Sequence, residues 1–311
     1  MEVPTFAHVQ AAAGRIAPFV HRTPVLTSET LDAVAGATLL FKAEPLQKSG
    51  SFKMRGAANA VLSLPEAEAT RGVATHSSGN HGAALSRAAT LRGIPCWVVM
   101  PEGAPAAKRQ AVAAYGGSIV PCAPTLKARE ESAARLLAET GARFVHPYED
   151  PAVVAGQGTC ALELLAQAPA IDLLLVPLGG GGLLSGTLIA ARELAPAVEI
   201  VGVEPAGADD AARSLAAGVI TPLPRPETVA DGLRATLGEL AFAVLREHRC
   251  RVVTVADDAI VEAMRLIWQR LKLVAEPSAA VPLAAVLSGA VEAAGRRVGV
   301  VLSGGNVDLP R

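Results

Sequence analysis

At 311 residues the chain is long for one hydrophobic core and short for three, so one large domain or two modest ones are expected. Its 28 Lys and Arg balance 29 Asp and Glu to a formal charge of -1, which argues against a nucleic-acid binder, an acidic tail or a polybasic membrane patch. Hydrophobic residues at 51% exclude disorder over most of the chain, and aromatics at 3% leave a core of Ala, Val and Leu with few stacking platforms for single-stranded nucleic acid.

The N-terminal MEVPTFAHVQ has no basic region leading into an apolar stretch, so no signal peptide is expected. From there, short β-rich runs alternate with longer helical patterns. Strands are expected at Thr38–Phe41, Val73–Thr75, Cys96–Val99, Arg143–Val145, Ile171–Val176, Glu199–Val203, Arg251–Val255 and Val298–Leu302. Several are apolar throughout, as strands covered on both faces are. Helices are expected at His81–Arg92, Thr125–Thr140 and Asp257–Leu273, the last capped by Asp257 or Asp258. The prolines of Thr221–Glu227 mark a loop. This alternation is that of an α/β protein with mostly parallel sheets. The uncharged run Leu173–Ala191 is long enough on paper to span a bilayer. Pro177 and the block Gly179–Gly182 would break such a helix, so strand, glycine turn and helix explain it better and no membrane partner is expected. Cys96, Cys122, Cys160 and Cys250 lack metal-type or redox-type spacing and read as reduced, buried thiols in a cytoplasmic protein.

Four segments carry chemistry. SFKMRG, residues 51–56, follows a strand and starts a helix with Lys53, whose ammonium form is disfavoured by the helix terminus and by Arg55 nearby, a setting for a Schiff-base amine. In THSSGNHG, residues 75–82, small hydroxyls and amides at a helix start can hold a carboxylate, and a serine can shuttle a proton. The glycines Gly179, Gly180, Gly181 and Gly182 lie between a strand and a helix, where bare amides and the helix terminus suit a phosphate monoester. No Lys follows them as in a nucleotide-triphosphatase loop. LSGGN, residues 302–306, ends the last strand.

Together these motifs resemble the serine/threonine dehydratase and serine racemase group of fold-type-II pyridoxal-phosphate enzymes, with a closest look to the eukaryotic-type racemases. The resemblance runs end to end, through HRTP at 21–24, AGQGT at 155–159, EPAGADD at 204–210 and ADG at 230–232. It implies a tryptophan synthase β-like α/β fold of two open, twisted, mostly parallel sheets flanked by helices. A large domain would comprise roughly residues 1–68 and 148–311, and a small mobile domain 69–147.

The resemblance also implies roles. Lys53 would bind pyridoxal 5'-phosphate and take the substrate α-proton, with Phe52 beside the cofactor and Asn80 on its phenolic oxygen. The four glycines and the amide of Leu183 would cradle the phosphate, and Ser303 would face the pyridine nitrogen, where a neutral hydroxyl favours elimination or racemisation over transamination. Ser78 would reprotonate the opposite face, and Ser77, Ser78, Asn80 and His81 would bind the substrate carboxylate. Glu204, Asp210 and the carbonyl of Ala208 would hold a divalent cation such as Mg, Ca or Mn. The expected reaction is β-elimination of L-serine or L-threonine to a 2-oxo acid and ammonia; serine racemisation, alone or alongside it, and dehydration of 3-hydroxyaspartate are the alternatives. Tyr148 and Ala235 depart from the racemase pattern and put racemisation in doubt more than elimination. Arg129 matches an arginine able to bind a second substrate carboxylate, but reads here as part of a solvated helix face. A homodimer is usual for the group; whether a nucleotide effector acts on it the sequence leaves open.

Overall fold

The computed structural model describes residues 2–77, 79–104 and 106–308. In chain order its strands are β1 (Val25–Leu26), β2 (Thr38–Ala43), β3 (Val73–His76), β4 (Cys96–Pro101), β5 (Ser118–Cys122), β6 (Arg143–Phe144), β7 (Leu173–Pro177), β8 (Glu199–Pro205), β9 (Arg251–Val255) and β10 (Arg297–Leu302). They form a six-stranded sheet in the order β1-β2-β10-β7-β8-β9 and a four-stranded sheet in the order β5-β4-β3-β6. Every pairing is parallel except that of β1 with β2.

The apolar strands of the large sheet are covered on both faces because alternate residues enter different cores. Leu39, Phe41, Leu173, Leu175, Val201, Val203, Val298 and Val300 face one cluster. Leu40, Leu174, Val176, Ile200 and Val301 face the other. With so few aromatics, close helix contact depends on missing side chains. A Cβ on Gly156 would lie 2.6 Å from the Cα of Gly56, and one on Gly186 would lie 2.5 Å from the nitrogen of Gly158. The AGQGT motif is therefore a packing face of the helix Pro151–Gln167, and its Gln157 side chain accepts a bond from the Gly56 amide at 3.1 Å.

Every expected strand is present, within one to two residues at most ends. Two strands carried no sequence signal: β1 has two residues, and β5 is a partly exposed edge strand containing Pro121. The helix expected at Asp257–Leu273 starts differently from expectation. Ala256 occupies the cap, while the Asp257 carboxylate accepts from the Thr228 hydroxyl at 2.6 Å and the Val229 amide at 2.9 Å. It also ends earlier, at Leu266, passing into a π turn over Ile267–Leu271 and a left-handed Lys272. The Leu173–Ala191 run folds as strand, glycine turn and helix, and among the described residues no helix is long and apolar enough to cross a membrane. The four cysteines are buried and unpaired.

The motifs converge for a topological reason. In parallel sheets functional loops collect at the carboxyl ends of strands. Glu44 follows β2, Ser77 follows β3, Gly179 lies just beyond β7 and Ser303 follows β10, so segments far apart in sequence meet at one cleft between the sheets.

Candidate active site

Lys53 opens the helix Lys53–Leu62, and its Nζ donates to the carbonyl of Pro147 at 2.8 Å, 5.0 Å from the centre of the Phe52 ring. Although the residue keeps some surface exposure, the surrounding protein desolvates the amine and lowers its pKa to about 8, against the opposing field of Glu276. Burial, not Arg55, is the cause. The Arg55 guanidinium points into the interior, where Glu44 and Glu163 neutralise it at 2.7 and 2.8 Å.

Around this amine the structure gathers residues from four segments. The carbonyl of Ser303 accepts from the Phe52 amide at 3.0 Å, and Ser51 forms a bridge with Gly304. The Asn80 amide donates to Glu276 Oε1 at 2.8 Å and its oxygen accepts from Asn306 at 2.9 Å. A Cβ on Gly304 would lie 2.5 Å from Glu276 Oε1, so the absent side chain is what admits that carboxyl. Burial first, then the nearby Asp231 carboxylate, raise the Glu276 pKa to about 7 against the Asn80 bond and the charges of Lys108 and Lys53. The sequence motifs assign no role to Glu276 or Asn306. The usable signal for Glu276 was a carboxyl directly before Pro277 at the start of the apolar helix Pro277–Leu287.

The glycine block forms the opposite wall. Gly179 to Gly182 and Leu183 are buried, and their amides find no acceptor within the described residues. Gly181 has φ +90°, and side chains at these positions would strike neighbours: a Cβ on Gly180 would lie 2.5 Å from the Tyr148 ring, and one on Gly181 2.4 Å from Ala241. A cluster of unpaired buried amides at the start of the helix Gly182–Leu194 fits a phosphate, and a desolvated lysine across the cleft fits the aldehyde of pyridoxal phosphate.

At the THSSGNHG motif the amides of Asn80, His81 and Gly82 open the helix Asn80–Arg92, with no acceptor among the described residues. Ser77 Oγ accepts from the Gly79 amide at 3.2 Å. His81 Nε2 lies 3.2 Å from the Val145 carbonyl, and burial, with the charge of Lys53, lowers its pKa to about 3. The ring is thus neutral with its proton toward Val145, which leaves Nδ1 a bare acceptor that repels a carboxylate. Any carboxylate contact of His81 therefore runs through its backbone N–H. Ser78 lies outside the described residues.

Beside Lys53 stands a polar wall. His146 and Tyr148 pack edge to face with centroids 4.6 Å apart, and His76 lies 6.0 Å from His146. Burial lowers the pKa of His146 to about 4 and raises that of Tyr148 to about 12. Arg129 is half-buried: its Nε has no partner among the described residues, and its charge acts on His76 and Tyr148. Ala235 lies in the loop before the helix Glu239–Glu247.

Apart from this cleft, both Glu204 oxygens accept amides of the helix Asp210–Ala217, from Ala211 at 3.0 Å and Ala212 at 2.9 Å. Asp210 Oδ2 accepts from Leu237 at 2.7 Å, and Ala208 is buried between the two acids in sequence. Burial raises the Glu204 pKa to about 8 and that of Asp210 as well, and neither acid has an ion-pair partner among the described residues. No group of three His, Cys, Asp or Glu able to hold a metal exists among those residues. Two buried carboxylates without a counter-charge nevertheless suit a hard cation whose shell is completed by carbonyl oxygen and water.

Comparison with known proteins agrees with this geometry. The family profile described as "Pyridoxal-phosphate dependent enzyme" matches residues 16–304. The chain is 51% identical over 311 residues to a beta-hydroxyaspartate dehydratase of Paracoccus denitrificans, covering 100% of this chain and 99% of that one. It is also 51% identical to a serine racemase of Arabidopsis thaliana, covering 97% of this chain and 92% of the other. Maize serine racemase superposes with a TM-score of 0.97 at 46% identity, over 99% of this chain and 95% of that structure. The profile match, together with a sequence and a fold shared so fully with these relatives, shows that the chain belongs to the fold-type-II family of pyridoxal-phosphate dependent enzymes.

Proposed function

We propose that this enzyme removes water from 3-hydroxyaspartate by β-elimination, yielding a 2-oxo acid and ammonia after hydrolysis of the enamine. The observation that carries this reading is Arg129, whose Nε is buried without a partner among the described residues and whose charge acts on His76 and Tyr148. A substrate with a second carboxylate supplies the missing anion. L-serine and L-threonine leave that cation unmatched, which moves the reading away from them, toward the substrate in the name of the Paracoccus denitrificans relative. Serine racemisation is the second reading, favoured by the racemases of equal similarity.

Bound pyridoxal phosphate supplies an electron sink that acidifies the substrate α-proton. The amides of Gly179–Leu183 would hold its phosphate and Lys53 its aldehyde, with Asn80 and Ser303 as the polar groups assigned to its ring. The amides of Asn80, His81 and Gly82 take the α-carboxylate, and Arg129 takes the β-carboxylate. Lys53, desolvated to a pKa of about 8, accepts the α-proton at Nζ. Ser78 is assigned the opposite-face proton in racemisation. The segment 69–147, which carries the four-stranded sheet, closes over residues 1–68 and 148–311 and excludes water. Glu204, Asp210 and Ala208 hold a divalent cation in a structural role.

The test incubates the enzyme with pyridoxal phosphate and magnesium against 3-hydroxyaspartate, L-serine, D-serine and L-threonine separately, and quantifies 2-oxo acid and opposite enantiomer in each. Oxo acid from 3-hydroxyaspartate is expected to dominate. Arg129→Met removes a charged hydrogen bond worth about 1.5–3 kcal/mol, so kcat/KM should fall roughly 10- to 150-fold for 3-hydroxyaspartate and little for L-serine. D-serine as the main product from L-serine overturns the dehydratase reading in favour of the racemase one.

A further inference from the structure

Directly behind Lys53 lies a buried ionic network that the reaction does not touch. Side chains two residues apart on a helix diverge by about 200°, so with Lys53 at the cleft, Arg55 enters the interior. Its guanidinium is fully enclosed and forks onto two carboxylates. Nε and Nη2 donate to Glu44 at 2.8 and 2.7 Å, and Nη1 and Nη2 donate to Glu163 at 2.8 Å each. Thr159 and Thr23 add contacts at 3.3 Å, and Thr23 donates to Glu44 at 2.6 Å. Lys42, also fully buried, donates to Glu163 at 2.7 Å, Gln167 at 2.8 Å and the Thr23 carbonyl at 2.7 Å. Two cations and two carboxylates thus tie together the end of β2, the turn Glu44–Leu46, the helix of Lys53 and the helix Pro151–Gln167.

We infer that Arg55 is a positioning residue: its two-sided fork fixes the rotation of the helix Lys53–Leu62 about its axis and so aims Lys53 Nζ at the reacting carbon. Two observations separate this from mere stabilisation. Buried ion clusters contribute little net stability compared with apolar packing of the same volume, whereas their directional bonds specify geometry. The helix is also anchored on the same side by the Gln157–Gly56 bond at 3.1 Å and the Asn59–Ala152 bond at 2.7 Å, so its attachment does not depend on Arg55 alone. What Arg55 adds is a lock through its own side chain, gripped from two sides, two residues from Lys53. The network is neutral overall, so its influence on Lys53 is through direction and not through charge.

This inference rests on the proposal that Lys53 holds the cofactor. The experiment compares holoenzyme of the wild type, Arg55→Lys, Glu163→Gln and Val61→Ala, the last removing buried methyl groups two turns away on the same helix. Borohydride reduction followed by peptide mapping identifies the lysine carrying the cofactor, visible circular dichroism reports the ring's orientation, and kcat, KM and melting temperature are measured for each. Arg55→Lys, which keeps the charge and loses the fork, should keep KM within about threefold, lower kcat at least tenfold and change the visible dichroism. Val61→Ala should lose melting temperature while keeping kcat and dichroism. If Arg55→Lys does not fold, Glu163→Gln, which replaces one of the fork's four acceptor oxygens by an NH2 group, should show the same pattern at smaller amplitude. Wild-type kcat and dichroism in the folded fork variants overturn the positioning role, as does a loss of kcat that Val61→Ala reproduces at equal melting temperature. A wild-type label on a lysine other than Lys53 overturns the cofactor assignment itself.

Discussion

Glu276 shows what a single side chain acquires from its surroundings. It caps an apolar helix, yet burial and the Asp231 carboxylate move its pKa from 4.5 to about 7. The folded chain keeps this proton up to about pH 7, whereas the unfolded chain releases it near the ordinary value. The stabilisation from the protonated group is therefore complete below pH 4.5 and lost as pH rises through 7. At about 1.4 kcal/mol per pKa unit the share is on the order of 3 kcal/mol. With the cofactor removed, Glu276→Gln is expected to flatten the fall in melting temperature between pH 5 and pH 8; parallel curves for variant and wild type would show that Glu276 does not carry it. The same scale explains two revisions. Lys53 is perturbed by desolvation and not by Arg55, because Glu44 and Glu163 neutralise the guanidinium. His81, expected on the substrate carboxylate, presents an acceptor nitrogen, so only its backbone fits. Lys53 itself was legible from SFKMRG, but the partner that tunes it from 223 positions further along was not, since no local pattern connects Lys53 with Glu276.

Elements were legible where periodicity was strong. The apolar strands β7, β8 and β10 were expected because burial on both faces leaves little room for polar residues. The edge strand β5 escaped because its exposed residues follow no such pattern. The glycine turn is the element whose chemistry depends most on backbone. Gly181 combines φ +90° with a contact that a methyl group would make at 2.4 Å to Ala241, so Gly181→Ala is expected to cost about 1–3 kcal/mol and weaken cofactor retention at least tenfold, read by dialysis and absorbance. Glu204, near the end of β8, and Asp210, at the start of the following helix, are both desolvated acids. Mg, Ca or Mn should therefore raise the melting temperature by several degrees, and Glu204→Gln should abolish the rise; an equal rise in the variant removes Glu204 from the ligand set.

At the scale of the whole molecule, polar contacts tie the segment of the four-stranded sheet to the remainder. Asn80, on the segment with the four-stranded sheet, bonds Glu276 and Asn306 on the other side. Lys108, from the helix Ala106–Ala114, pairs with Asp231, whose turn continues to Leu233 packed 3.0 Å from where a Gly179 Cβ would lie. The pair is partly exposed, so its own energy is small, but it sits where the two parts must come together. Lys108→Met is expected to raise KM roughly three- to tenfold and to make KM less dependent on salt; unchanged KM would place closure elsewhere. By itself the sequence determined the alternating α/β pattern, the resemblance to the family and the positions of lysine and glycine loop, because these depend on local periodicity and on residue types that only a phosphate or a Schiff base requires. Tertiary structure alone decided which groups are desolvated, that Arg55 turns away from Lys53, that Glu276 joins Asn80 and that the charge of Arg129 acts on His76 and Tyr148. Burial and electrostatic fields depend on distances through space, and parallel topology brings together residues that are hundreds of positions apart.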